Sequence, residues 1–216
     1  MNPVPSIITL DGPAASGKSS VAQRVADTLG VAFVSSGLLY RLATLVTLQR
    51  DVDANDVAAI LAELDLHDVR LHADPNGNRL TLDDKDVTDE LHTDAVDGAV
   101  SIVAAHPELR AWVNARLREI EGSFVIDGRD MGRDVFPNAA HKFFLTARPE
   151  VRAARRVGER SADLAAVTEA IRQRDEGDQR QSRPADDATL IDTSDLTLQQ
   201  VIDRVLDTIH ATEGAT

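Results

Sequence analysis

The stretch Ile7-Ile8-Thr9-Leu10-Asp11-Gly12-Pro13-Ala14-Ala15-Ser16-Gly17-Lys18-Ser19-Ser20 decides the fold. Ile7–Leu10 is a short, nearly continuous apolar and β-branched run, the pattern of a central strand covered on both faces. Beyond Ser19 the period changes, and Val21, Val25 and Leu29 fall on one side of a helix. Between strand and helix lies G-x-x-x-x-G-K-[ST], in which Gly12 and Gly17 let the backbone wrap closely so that successive N–H groups point inward. The helix start adds its positive dipole end to that anion cradle. Lys18 is placed to reach the outer phosphates of a bound nucleotide, and the Ser19 hydroxyl to join a Mg²⁺ shell. With Ser20, the residues Gly12, Pro13, Ala14, Ala15, Ser16, Gly17, Lys18 and Ser19 are the expected ATP-binding set.

Outward from this loop the pattern repeats. Strand-like runs recur at Ala32–Val34, Phe124–Ile126, Lys142–Leu145 and Thr189–Ile191. Helical periodicity fills much of the space between, with Leu38, Leu42, Leu45 and Leu48 spaced by three or four over Gly37–Arg50. Thr197-Leu198-Gln199-Gln200 reads as a capping box opening a last helix through Ile202, Val205 and Ile209, before a disordered-looking tail at Ala211–Thr216. Such alternation predicts a doubly wound α/β sheet. One region breaks the rhythm: Asp68–Leu71 and Arg79–Leu82 flank Asp74-Pro75-Asn76-Gly77-Asn78, a β-hairpin signal. Helical patterns follow from Asp89 to Ala105 and from Pro107 to Glu121, so roughly 51–120 reads as an insertion into the core.

Composition narrows the functions. The 216 residues carry 23 basic and 36 acidic side chains, a net charge of −13, which disfavours a general nucleic-acid binder. The absence of cysteine excludes disulfides, thiolate metal sites and cysteine nucleophiles. The six histidines show no metal-ligand spacing. No run is long enough to span a bilayer and no signal-peptide pattern opens the chain, so a cytoplasmic protein is expected. Of the basic residues 20 are Arg, and nine of these lie between Arg148 and Arg183, as a mobile phosphate-gripping flap would require. No Asn-Lys pair occurs, against a guanine-reading switch, and no two glycines are adjacent, against the Gly-Gly-Gly run of a shikimate-type kinase.

Two further segments point to an acceptor. In Ser35-Ser36-Gly37-Leu38-Leu39-Tyr40-Arg41, Ser36 can cap a helix and Arg41 sits one turn inside it. In Phe124-Val125-Ile126-Asp127-Gly128-Arg129-Asp130-Met131-Gly132, an apolar strand ends in charged residues at the carboxyl edge of the sheet, where α/β sites are built. Asp127 is placed to hold the Mg²⁺ shell through water, and Arg129 to clamp an anion.

These segments, with Val135-Phe136-Pro137, Ile171-Arg172-Gln173-Arg174-Asp175, Asp178, Asp86-Val87-Thr88 and the stretch Ala99–Arg110, make the chain resemble the bacterial cytidylate kinases. These are P-loop nucleoside monophosphate kinases. The resemblance runs from the first strand to the closing helix. It implies an α/β, three-layer fold with a central parallel five-stranded sheet and one P-loop kinase domain over 1–216. An enlarged monophosphate-binding insertion would occupy about 36–120 and a lid about 152–184. It further implies ATP and CMP or dCMP as substrates, Mg²⁺ as cofactor, and a monomer without polymer or membrane partners. Lys18, Arg129, Arg174 and Arg180 would be catalytic. Arg41 and Arg129 would hold the acceptor phosphate, while Ser101, Arg110 and Asp130 would read cytosine with Ser36 near the same pocket. Tyr40, Asp127 and Gly128 complete the substrate set on that side, and Arg174, Asp178 and Arg180 would meet ribose and phosphates as the lid closes. Two departures stand out. Ser35 occupies a place usually held by Asp, and the lid-side arginine falls at Arg180, four before Pro184, rather than at Gln181; Arg183 is the other arginine nearby. A kinase of other base choice (UMP/CMP or dTMP) and a P-loop ATP-binding regulatory module are the competing readings.

Overall fold

A computed structural model describes residues 6–74, 77–159, 165, 167–169, 171–172 and 182–213. The main sheet has five strands in the order β2-β6-β1-β7-β8: β1 is Ile7–Asp11, β2 Ala32–Ser35, β6 Phe124–Gly128, β7 His141–Thr146 and β8 Thr189–Asp192. β1 pairs in parallel with β6, Ile7 opposite Phe124 through Asp11 opposite Gly128, and with β7 on its other side, Ile8 opposite His141. Each strand runs a residue or two beyond its apolar stretch, because the polar residue at its carboxyl end still joins the ladder.

The chain divides into two compact units, Met1–Val31 with Gly122–Thr216, and Ala32–Glu121. In the first, helix α1 (Lys18–Leu29) buries Val21, Ala22, Val25 and Ala26, and ends where Gly30 adopts a left-handed conformation and its N–H returns to the carbonyls of Ala26 and Asp27. The last helix, α7 (Leu198–Glu213), packs on α1 and buries Val201, Ile202, Val205 and Ile209. Its capping box forms as the sequence predicts. The Thr197 N–H donates to Gln200 Oε1 at 2.8 Å, and the Gln200 N–H to Thr197 Oγ1 at 3.3 Å. The helix continues through Ala211–Glu213, which the sequence assigns to the tail. Helix α6 (Pro149–Glu159) follows β7.

The second unit holds α2 (Gly37–Gln49), α3 (Val57–Leu64), β3 (Val69–Asp74), β4 (Gly77–Leu82), the two-residue strand β5 (Lys85–Asp86), α4 (Asp94–Val103) and α5 (Pro107–Arg118). The hairpin predicted about the Asn-Gly turn is present, with Val69 opposite Leu82 and Asp74 opposite Gly77, and β5 extends it to three strands. The helix expected from Asp89 to Ala105 is two elements. A 3₁₀ turn at Thr88–His92 stops at extended Thr93, whose side chain accepts from the Val96 N–H and starts α4 afresh. Along α2, Leu38, Leu42 and Leu45 are buried, but Leu48 is 44% exposed, because a 3.6-residue period drifts off the core face over three turns.

Candidate active site

The P-loop spans the gap between β1 and α1. Gly12 has φ 151° and a Cβ there would lie 2.1 Å from the Leu145 carbonyl oxygen of β7, so the loop leaves the sheet by a path open only to glycine. Gly17 at φ 89° caps α1, and Ala15, at φ 58°, holds a left-handed conformation between them. Lys18 curls back over the loop, its Nζ donating to the Pro13 carbonyl at 3.3 Å. Ser20 lies exposed on α1.

The loop is braced from behind. On α6, buried Arg152 donates through Nη1 to the Ala14 carbonyl at 3.1 Å and through Nε to the Ala147 carbonyl at 3.0 Å. Arg155 donates through Nη1 to the Ser16 carbonyl at 3.2 Å and to Thr193 Oγ1 at 3.0 Å, and through Nη2 to the Thr193 carbonyl at 2.7 Å. The buried Thr193 hydroxyl, just past β8, shares its proton between the carbonyls of Ser16 (3.3 Å) and Thr146 (3.1 Å). Charge-assisted bonds of this kind fix the Ala14 and Ser16 carbonyls and with them the path of the loop. Two of the arginines that composition assigns to a flap are thus fastened to the cradle itself.

At the carboxyl end of β6, Asp127 is 4% exposed, and its Oδ2 accepts a hydrogen bond from Ser19 Oγ of α1. Its Oδ1 is buried with no hydrogen-bond partner among the described residues. Gly128, the last residue of β6, is buried opposite Asp11. Arg129 donates to Ser182 Oγ at 3.3 Å, and Asp130 is buried at 3% exposure. Asp11, at the end of β1, accepts the amide N–H groups of Met131 and Gly132. Its burial, reinforced by the charge of Asp130, pushes its carboxyl up to about 7 against the pull of those two amides and of Lys18.

Within the second unit, Arg41 donates through Nη1 to the Leu91 carbonyl at 2.8 Å and forms an ion pair with Asp97 at 2.6 Å. The Arg110 guanidinium of α5 lies over the Tyr40 ring, 5.4 Å from its centroid. Ser36 stands at the N-cap of α2 and is buried, but its side chain makes no capping bond, contrary to the sequence expectation. Ser101 is exposed on α4. At the position of the departure, the Ser35 N–H donates to Asn78 Oδ1 at 3.1 Å. In the Asp86-Val87-Thr88 segment, Asp86 Oδ1 accepts from the Thr88 N–H and hydroxyl, and Thr88 Oγ1 accepts from the Leu80 N–H, so the segment ties the hairpin to the following turn. Arg174, Asp178 and Arg180 lie outside the described residues.

Sequence reasoning passed over Asp11, Asp97, Arg152 and Thr193. Only Asp11 carried a local signal, as a carboxylate between an apolar strand and the first P-loop glycine. The comparison with known proteins bears on the whole chain. The family model described as cytidylate kinase matches residues 8–211.

The chain belongs to the cytidylate kinase family.

A cytidylate kinase of Thermus thermophilus is 54% identical over 200 residues, covering 93% of this chain and 96% of that one. One from Deinococcus deserti is 55% identical over 196 residues, covering 91% and 95%. Among solved structures, a shikimate kinase from Bacteroides thetaiotaomicron superposes with a TM-score of 0.51 at 14% identity, covering 95% of this chain and 98% of that one, a likeness of fold alone. Among the described residues no helix is long and apolar enough to cross a membrane.

Proposed function

We infer that this chain is a kinase that transfers the terminal phosphoryl group of ATP to CMP or dCMP, yielding ADP and CDP or dCDP. The observation that carries the reading is the hydrogen bond from Ser19 to Asp127, which seats the Asp-Gly-Arg-Asp strand end on the phosphate cradle. A phosphate oxygen of the acceptor attacks the γ-phosphorus of ATP, and the bond from that phosphorus to the β,γ-bridging oxygen breaks. The acceptor phosphate is already nucleophilic, so positioning and charge neutralisation carry the catalysis and no general base is needed.

Lys18 and the inward amides of the P-loop hold the ATP phosphates. Hard oxygen donors suit Mg²⁺, and the buried, partnerless Oδ1 of Asp127 beside Ser19 Oγ fits an ion held through one hydroxyl and water. Ser19 and Asp127 are therefore its holders, and the ion supplies charge neutralisation when bound. Arg129 is assigned to the acceptor phosphate and Asp130 to the exocyclic amino group of cytosine. In the second unit, Arg41 is assigned to the acceptor phosphate, Ser101 and Arg110 to the base, and Ser36 and Tyr40 to the lining of that pocket. Arg174, Asp178 and Arg180 are assigned to ribose and phosphates. Residues of about 36–120 form the monophosphate-binding region and those of about 152–184 the lid, within one kinase domain. A carboxylate accepts from the amino group of cytosine but faces a carbonyl oxygen in uracil; a buried polar group left unpaired costs about 1–3 kcal/mol, enough to set the preference. The enzyme acts in the cytoplasm as a monomer on small substrates.

The test is a panel of nucleoside monophosphates, CMP, dCMP, UMP, dTMP and AMP, each offered with ATP. ADP forms rapidly with CMP and dCMP and slowly with the rest. Slow ATP hydrolysis indifferent to the acceptor would overturn the reading in favour of a regulatory ATP-binding module.

A further inference from the structure

Asp11 belongs to neither substrate grip, yet it touches the segments that carry both. It ends β1 immediately before Gly12, and in the sheet it lies opposite Gly128. Past Gly128 the chain turns back over the end of β1, and Asp11 Oδ1 accepts the Met131 N–H while Oδ2 accepts the Gly132 N–H, each at 2.8 Å. Arg129 and Asp130 form the crest of that turn. Beyond it a π-helical turn at Met131–Val135 is closed by the Asp134 N–H on the Asp130 carbonyl (2.8 Å) and the Phe136 N–H on the Met131 carbonyl (2.7 Å). The opposite side of the turn is equally constrained. A Cβ on Gly132 would lie 2.7 Å from Thr9 Oγ1 and 3.2 Å from Lys142 Cγ, so the segment rests directly on the sheet.

We propose that Asp11 is a positioning residue for phosphoryl transfer: its two carboxylate oxygens pin the turn that presents Arg129 and Asp130 to the strand that launches the P-loop. A carboxylate is required because both contacts are with donors. An amide in its place offers one oxygen and turns an NH₂ group toward the second N–H. The proposal rests on the assignment of Arg129 and Asp130 to the acceptor made above.

Asp11→Asn is nearly isosteric and tests it directly. Amide hydrogen exchange at Met131 and Gly132, followed by NMR, is expected to accelerate about tenfold as their hydrogen bonds weaken, while the β1 and β6 amides keep their protection. Turnover with CMP is expected to fall by about a hundredfold, as a misplacement of order 1 Å does, with ATP binding measured by calorimetry changed less than about threefold. Gly132→Ala displaces the same turn from the opposite side and should reproduce the loss, with partial recovery when Thr9→Ala removes the obstructing oxygen. A merely structural role for Asp11 would lower the melting temperature and leave kcat per folded molecule intact. Unchanged exchange at Gly132, or accelerated exchange with unchanged turnover, would overturn the proposal. Asp130→Asn measured in parallel separates the two readings: if its CMP-over-UMP preference equals that of the parent, the base assignment fails while the exchange and turnover results on Asp11 still decide the proposal.

Discussion

In the proposed function the P-loop and the Arg41 corner both take anions, and they are built in opposite ways. Around the P-loop the supporting side chains are cations, Arg152 and Arg155, and they grip the carbonyl oxygens of Ala14 and Ser16. At Arg41 the ligand-seeking group is itself the cation, and it is engaged by the Asp97 carboxylate and the Leu91 carbonyl. The first arrangement holds the loop from behind, so an anion bound there need displace only the Lys18 contact with the Pro13 carbonyl and leaves the arginine braces intact. The second would have to share or surrender the Arg41–Asp97 ion pair to take the phosphate proposed for it. A fold can therefore make one anion grip rigid and the other responsive with the same residue type, by choosing which side of the hydrogen bond arginine occupies.

The largest test of this contrast is Arg129→Ala. Arg129, which donates to Ser182 Oγ at 3.3 Å, is assigned to the acceptor, so its loss should slow turnover about a thousandfold with calorimetric ATP affinity nearly unchanged, as expected for a group that stabilises transferring charge. Near-normal kcat in that variant would remove it from the site. Next is Arg155→Met, which keeps the aliphatic stem but releases the Ser16 carbonyl. Its KM for ATP should rise about tenfold, the scale of one lost charge-assisted bond, with KM for CMP little moved. A rise confined to CMP would break the distinction between a braced donor loop and a responsive acceptor corner. Asp97→Asn should do the reverse on a smaller scale: freeing Arg41 from a partly exposed pair lowers KM for CMP about twofold to fivefold at low salt, fading at high salt.

Much of the contrast was legible in advance, and the rest was not for definable reasons. Gly12, Gly17, Lys18 and Ser19 could be read because each task is local, fixed by a backbone turn between a strand and a helix. The hairpin about Asn76-Gly77 and the Thr197–Gln200 capping box were readable for the same reason. Thr193 and Arg152 were not, since each acts on the P-loop across more than a hundred residues and looks in sequence like a strand-end hydroxyl and a helix-surface charge. Asp97 was hidden similarly, one acid among many until α4 sets it beside Arg41. The break at Thr93 escaped because a 3₁₀ turn and an α-helix share an apolar spacing near three. Ser36 shows the converse, a residue type suited to capping that stands at the cap without bonding there.

A further expected effect, on stability rather than turnover, concerns pH. The carboxyl of Asp11 lies near 7 in the folded chain and near 3.8 when unfolded, so the native state binds the extra proton between those values. Its contribution to the unfolding free energy is highest below about pH 4, declines as pH rises to about 7, and is level above. Asp11→Asn cannot titrate, so the stability difference between parent and variant should move in the variant's favour across that window. A difference independent of pH, measured by urea denaturation, would contradict a carboxyl raised by burial.

The hydroxyl of Thr193 meets the Ser16 carbonyl across 177 residues of sequence. On a ribosome, the glycine loop is therefore synthesised long before its rear support. A nascent chain halted before Thr189 would carry its signature motif intact and lack the Thr193 brace behind it.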